Sequence, residues 1–166
     1  MPNPKIVFHT QEKRLFRINK PVICNRKDAW LGKGYYFWAE EIYAHQWGNT
    51  SKRNTGSYEI YCASINCENI LDTVFNEAHY NFWREQIEMA ANEIFRISGR
   101  IPSRIAVNKY LSKISAWNDV SGISFQDIPQ GHGLITDFYY RKRIRFVIFN
   151  LSILINFYFH KEERCL

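Results

Sequence analysis

The sequence lacks the marks of several common protein classes. Its four cysteines, Cys24, Cys62, Cys67 and Cys165, form no CxxC pair and have no histidine at metal-ligand spacing. No metal site is expected, and the cysteines read as free thiols in a reducing compartment. No uninterrupted apolar stretch reaches the roughly 18 residues that cross a bilayer. The most apolar segment, Phe146 to Phe159, is broken by Asn150, Ser152 and Asn156. The opening MPNPKIVFHT has no basic-then-apolar layout of a signal peptide. No membrane association is expected, and the default location is the cytoplasm, the chain's own or that of a cell into which an effector is delivered. There is no internal repeat and no low-complexity stretch, and no acidic residue occurs between Asp137 and Glu162.

What is present suits one globular domain over residues 1–166. A chain of 166 residues can bury roughly two thirds of its unfolded surface, enough for a core without staples. Apolar residues make up 46% and aromatic residues 16%, a ring-rich composition unlike that of disordered chains. The 22 basic residues outnumber the 16 acidic ones, a formal charge of +6. That balance favours approach to nucleic acid, to anionic cofactors or to acidic protein surfaces without choosing among them. Basic residues gather at Lys52-Arg53 and at Arg141-Lys142-Arg143 with Arg145, although short charge runs are most often solvated faces.

The pattern along the chain alternates strands and helices. Lys5 to His9 reads as a strand ending on the histidine, and Pro21 to Lys33 as a loop. Gly34 to Trp38 is an aromatic strand, and Glu40 to Trp47 a short helix with acids in its first turn and Gly48 after it. Tyr58 to Ile65 alternates as a strand. Asn76 caps a helix with Tyr80, Trp83, Ile87, Ala91 and Ile94 on one face, stopped by Gly99. Ser103 caps a second, with Val107, Tyr110, Leu111, Ile114 and Trp117 inward. Gly122 to Phe125, Leu134 to Tyr139 and Ile144 to Phe149 read as closing strands. Strands at both ends and helices between them predict an α+β domain with an inserted helical pair.

Chemistry concentrates in Trp30 to Trp47, WLGKGYYFWAEEIYAHQW, taken with His9-Thr10. Glycines at 32 and 34 let backbone pass close to a ligand or a neighbouring strand, and the rings that follow can offer flat surfaces to a planar group. Read blandly, Tyr35 and Phe37 are core while Tyr36 and Trp38 decorate the other face. The imidazole of His9 adds a polar group that an aromatic strand alone does not have.

With His9 included, the pattern resembles the H-Y-type ADP-ribosyltransferases, the group that includes poly-ADP-ribose polymerases and many bacterial toxins. Those proteins carry a histidine at the end of the first strand and a later glycine-glycine-aromatic-tyrosine-phenylalanine motif, which GKGYYF fills here. Ala44 and Trp47 match the alanine and the stacking aromatic of the family's next helix. The resemblance covers about 45 residues. It implies a compact split-sheet fold, NAD⁺ as cofactor, and transfer of ADP-ribose by a toxin, effector or defence protein. It implies that His9 bonds a ribose hydroxyl, that Tyr36 and Trp47 sandwich the nicotinamide, and that Gly34 lies close to the cofactor. Tyr35 and Phe37 complete the motif, and backbone at Thr10 and Gln11 holds the carboxamide. The acceptor would be a nucleic acid or a protein, and the basic face also suits an acidic antitoxin or immunity partner.

The chain departs from the family at two points. The family usually has histidine-glycine-threonine, whereas Thr10 and Gln11 follow His9 here. The family's late-strand glutamate falls on Arg145 or a neighbour, and a positive charge cannot do a carboxylate's work at an oxocarbenium-like centre. Three explanations stand: the acid comes from Asp137 or Asp127, Arg145 grips a phosphate or the target in a variant catalytic set, or the domain binds without catalysing. A catalytically inactive module that binds nucleic acid or a partner protein is therefore the competing expectation. Glu40 and Glu41 are expected to serve the helix dipole, and His45, His79, His132 and His160 to have ordinary structural roles. A nuclease toxin would need acid or histidine pairs that the sequence does not offer.

Overall fold

The computed structural model describes residues 4–51, 54–127 and 142–166. The predicted strand at Leu134 to Tyr139 lies outside them, as do Lys52, Arg53, His132, Asp137 and Arg141. The elements are β1 (Lys5–Glu12), β2 (Tyr35–Trp38), α1 (Glu41–Ser51), β3 (Ser57–Ile65), β4 (Ile70–Asp72), α2 (Glu77–Ser98), α3 (Arg104–Lys113), β5 (Gly122–Gln126), β6 (Ile144–Ile148) and β7 (Leu154–Arg164). The class is α+β, with a seven-stranded mixed sheet in the order β4-β5-β6-β2-β1-β3-β7. All neighbours are antiparallel except β4 and β5.

Strand β1 does not end on His9 but runs on to Glu12, because its register with β3 holds from Lys5↔Ile65 to Glu12↔Tyr58. Its register with β2 is the single pair Phe8↔Trp38. The sheet is therefore continuous yet nearly divided, with β4-β5-β6-β2 on one side of that pair and β1-β3-β7 on the other. Two strands were not foreseen. β4 is only three residues long, and β7 lies at an edge, where side chains alternate between solvent and sheet. Two of the polar residues that interrupt the C-terminal run have a local use: Asn150 caps the turn of 3₁₀ helix at Leu151–Ile153 by accepting from Ser152 N–H.

Period-2 alternation divides the core. On one face Val7, Phe37, Ala63, Ile65, Ile144, Phe146 and Ile148 form a cluster from five strands with Ile70. On the other, Trp38, Tyr58 and Ile60 pack against Tyr43 and Ala44 of α1, while Leu71, Ile123, Phe125 and Val147 meet Trp83 of α2 and Trp117. The helix caps follow the sequence. Asn76 accepts from His79 N–H, Ser103 accepts from Ala106 N–H, and Gly99 N–H closes α2 onto Phe95 C=O. Helix α3 ends at Lys113, before Trp117, which still reaches the core from the turn beyond. Gly48 lies inside α1 rather than after it, since Tyr58 packs where any side chain would stand. No helix among the described residues is long and apolar enough to cross a membrane, and the four cysteines are free.

Candidate functional site

A cavity of about 480 Å³ opens where β1 and β2 part, within the range of small-molecule sites, roughly 300–1,000 Å³. Its floor comes from β1 and β2, one wall from Trp47 of α1, another from Arg145 of β6, and its roof from the loop 22–30 with Arg104 of α3. The parting has a local cause at His9. One residue past the Phe8↔Trp38 pair, Nδ1 of His9 donates to the Tyr36 carbonyl oxygen at 2.9 Å, so a side chain makes the bond that the next strand pair would have made. A carbonyl only accepts, which puts the proton of a neutral ring on Nδ1 and leaves Nε2 to accept the 3.4 Å bond from Val22 N–H. Strand direction thus fixes one end of the imidazole and the roof loop meets the other.

Tyr36 and Trp38 project into the cavity because they alternate with Tyr35 and Phe37, which face the other way. The Tyr36 hydroxyl donates to Gly32 C=O at 2.7 Å and accepts from Leu31 N–H at 3.1 Å, pinning the turn that precedes the strand. Burial pushes its pKa up to about 12, so it stays a neutral donor. Helix α3 holds the loop from outside. Arg104 donates to Asp28 C=O at 3.0 Å with its guanidinium carbon 4.4 Å from the Trp30 ring centroid, and the Asn108 side-chain amide donates to Trp30 C=O at 3.1 Å.

Arg145 stands opposite Trp38 in the β2–β6 register. Its guanidinium carbon lies 4.5 Å from the Trp38 ring centroid, 5.1 Å from Tyr36 and 5.3 Å from Trp47, inside the roughly 6 Å reach of cation–π attraction. Burial lowers its pKa from the ordinary value, although an arginine remains charged. Its ion-pair partner is Asp127, 3.6 Å from Nη1, which also receives Nη2 of Arg143 at 3.3 Å. Nε of Arg145 is buried without a hydrogen-bond partner among the described residues. Arg26, Arg104 and Arg145 line the cavity against one lining acid among the described residues, Asp28, which is bound bidentately by Arg26. The cavity is therefore electropositive and ring-lined, a setting for a ligand that is planar in one part and anionic in another.

Of the residues singled out from sequence, His9, Thr10, Gln11, Tyr36, Trp47 and Arg145 come together on this cavity. Thr10 is in the wall, its hydroxyl spent on Ala44 C=O at 2.8 Å. Three others do not line it. Phe37 is fully buried in the opposite cluster and Tyr35 packs against that cluster, a consequence of strand alternation. Gly34 pairs with Cys24 as an isolated bridge, and a side chain there would overlap Val147 and press on the Ile148 carbonyl oxygen at 3.2 Å. The glycine answers to the neighbouring strand rather than to the cavity.

The lining also includes residues of the loop 22–30 and, among charged and aromatic side chains that sequence reasoning missed, Arg26, Asp28, Trp38 and Arg104. Trp38 was legible, since it shares a strand face with Tyr36. Arg26, Asp28 and Arg104 carry no local signal and reach the site only when the loop folds back under α3. Glu41 serves more than the helix dipole: it accepts from Lys161 at 2.5 Å and lies 3.2 Å from both His45 and His160. No group of three or more residues able to hold a metal ion occurs among the described residues. Compared with protein-family models, with curated proteins and with solved structures, the chain matches none.

Proposed function

We propose that the cavity is an NAD⁺ site and that the chain is an ADP-ribosyltransferase acting on a macromolecular acceptor, nucleic acid or protein, as a toxin, effector or defence protein. The observation that carries this proposal is the convergence of His9, Tyr36, Trp47 and Arg145, from four separate elements, on one cavity. The first three have chemistry for part of a dinucleotide. Rings of Tyr36 and Trp47 stack on a nicotinamide ring, Nε2 of His9 exchanges its long bond from Val22 N–H for one from a ribose hydroxyl, and Arg26 and Arg104 at the roof offset the charge of a pyrophosphate. Held in this way, the bond between nicotinamide and ribose breaks toward an oxocarbenium-like centre that the acceptor's nucleophile attacks, with nicotinamide as leaving group. Positioning supplies much of the rate in such a reaction.

A second reading is favoured by a specific feature. Asp127 is held by Arg143 and Arg145 and is not among the residues lining the cavity, and an arginine occupies the position that resemblance assigns to glutamate. A module that binds a nucleotide or partner without transferring ADP-ribose fits that arrangement. Incubating the protein with isotope-labelled NAD⁺ and a lysate, followed by nuclease or protease treatment, separates the two. Label that is lost in both His9→Ala and Tyr36→Ala, each verified as folded by circular dichroism, supports transfer and identifies the acceptor class. Absence of label and of nicotinamide release, with NAD⁺ binding retained, supports the module.

A further inference from the structure

The Arg145 guanidinium, a planar cation belonging to the chain itself, borders the slot beside the rings of Tyr36 and Trp47, 5.1 and 5.3 Å from their centroids. We propose that Arg145 is a specificity-determining occupant of this slot, which a cationic nicotinamide ring enters only by displacing the guanidinium toward Asp127. The proposal rests on the cavity being a dinucleotide site and states which part of the ligand the site resists.

A guanidinium and a pyridinium ring are both flat cations that stack on aromatic faces. A ring stacked on either side chain would lie at van der Waals distance from it, whereas the Arg145 guanidinium carbon lies 5.1 Å from the Tyr36 centroid and 5.3 Å from that of Trp47. A ring held between the two side chains would crowd the guanidinium, and their like charges repel at short range. The Arg145 side chain is held where it is by ring contacts and an ion pair rather than by hydrogen bonds: its Nε is orphaned, and the Asp127 carboxylate lies 3.6 Å from Nη1, just beyond bonding length. Rotation of the side chain toward Asp127 would exchange ring contacts for a hydrogen-bonded ion pair. The occupant is therefore displaceable, at the expense of its contacts with Trp38, Tyr36 and Trp47.

The consequence is an order of ligands. ADP-ribose has the pyrophosphate but no nicotinamide, so it binds beside Arg145 and gains from the positive charge. NAD⁺ presents the same phosphates together with a ring that competes with Arg145. Wild type should prefer ADP-ribose, and removal of the guanidinium should reverse or erase that preference.

The test is calorimetric titration of wild type, Arg145→Ala and Arg145→Gln with ADP-ribose, NAD⁺ and the 1-methylnicotinamide cation, with thermal melts to verify folding. Glutamine keeps a planar polar group without charge, so it serves where alanine leaves an unstable cavity. The expected result is NAD⁺ binding tighter by about tenfold in the variants, the scale of one lost competing cation–π occupant. Binding of the 1-methylnicotinamide cation should become measurable, while ADP-ribose affinity stays level or falls. NAD⁺ and ADP-ribose weakening together would overturn the proposal and make Arg145 a phosphate clamp. Unchanged NAD⁺ affinity in both folded variants would also overturn it. Failure of all proteins to bind ADP-ribose would remove the dinucleotide site itself, and the proposal with it.

Discussion

Substituting Gly34 by alanine separates a glycine required by packing from one required by a ligand. The added methyl would overlap Cγ2 of Val147, which is fully buried, and would stand 3.2 Å from the backbone oxygen of Ile148, which cannot move without disturbing β6. Forcing a methyl into a filled core costs about 1–3 kcal/mol, against a gain of about 0.4–1 kcal/mol from reduced freedom of the unfolded chain. Overpacking wins, and with a urea m-value of roughly 1–3 kcal/mol per molar the midpoint should fall by on the order of 1 M. Val147→Ala deletes the overlapping atom and by itself should cost roughly 2 kcal/mol. With only the 3.2 Å contact to the Ile148 carbonyl oxygen remaining, adding Gly34→Ala to Val147→Ala should cost much less than adding it to wild type, a coupling of about 1–3 kcal/mol between contacting residues. Urea unfolding of the four proteins measures this cycle, and ADP-ribose titration of the same samples supplies the functional control. A Gly34→Ala protein with wild-type midpoint and lost ADP-ribose binding would refute the packing argument.

Two further outcomes follow from the hydrogen-bond network. Glu41 has its pKa lowered from the ordinary 4.5 to about 2, first by the hydrogen bond from Lys161, then by His45 and His160, against burial. A lowered folded-state pKa stabilises above the unfolded value and is lost as pH falls. The stability gap between wild type and Glu41→Gln should be full above about pH 5 and close as pH falls toward 2; a gap unchanged over that range in urea melts would exclude this role. Tyr36→Phe keeps the ring but leaves Leu31 N–H and Gly32 C=O without the hydroxyl, a cost of about 1–3 kcal/mol. Amide exchange at residues 29–33 should accelerate, and unchanged exchange there would show that the turn does not depend on Tyr36.

Much of the fold was legible wherever the signal was local. Asn76, Ser103 and Gly99 mark helix ends because capping chemistry acts within three or four residues, and the structure has caps at all three. The strands at Tyr35–Trp38 and Tyr58–Ile65 show ring-rich or alternating patterns. Strand β4 was not legible, since three residues cannot display a period, and β7 was hidden by polar interruptions that are a cap and solvent-facing edge positions. The end of α1 was misjudged because Gly48 reads as a terminator, whereas its smallness answers to Tyr58, ten residues later. In the site, His9, Tyr36 and Trp47 are legible as types in a pattern, whereas Tyr35 and Phe37, cofactor-binding by resemblance, turn to the opposite core as the alternation of an aromatic strand also allows.

The sequence by itself determined the α+β class, the caps, and the ring-rich segment beside a histidine, because periodicity and capping are properties of neighbours in the chain. Only the tertiary structure decided that β1 and β2 part after one pair, that Arg26 and Arg104 arrive over the opening, and that Arg145 lies against Tyr36 and Trp47 within reach of Asp127. These depend on strand register and on a loop folding back under α3, and such contacts between residues far apart in the chain leave no local pattern to read.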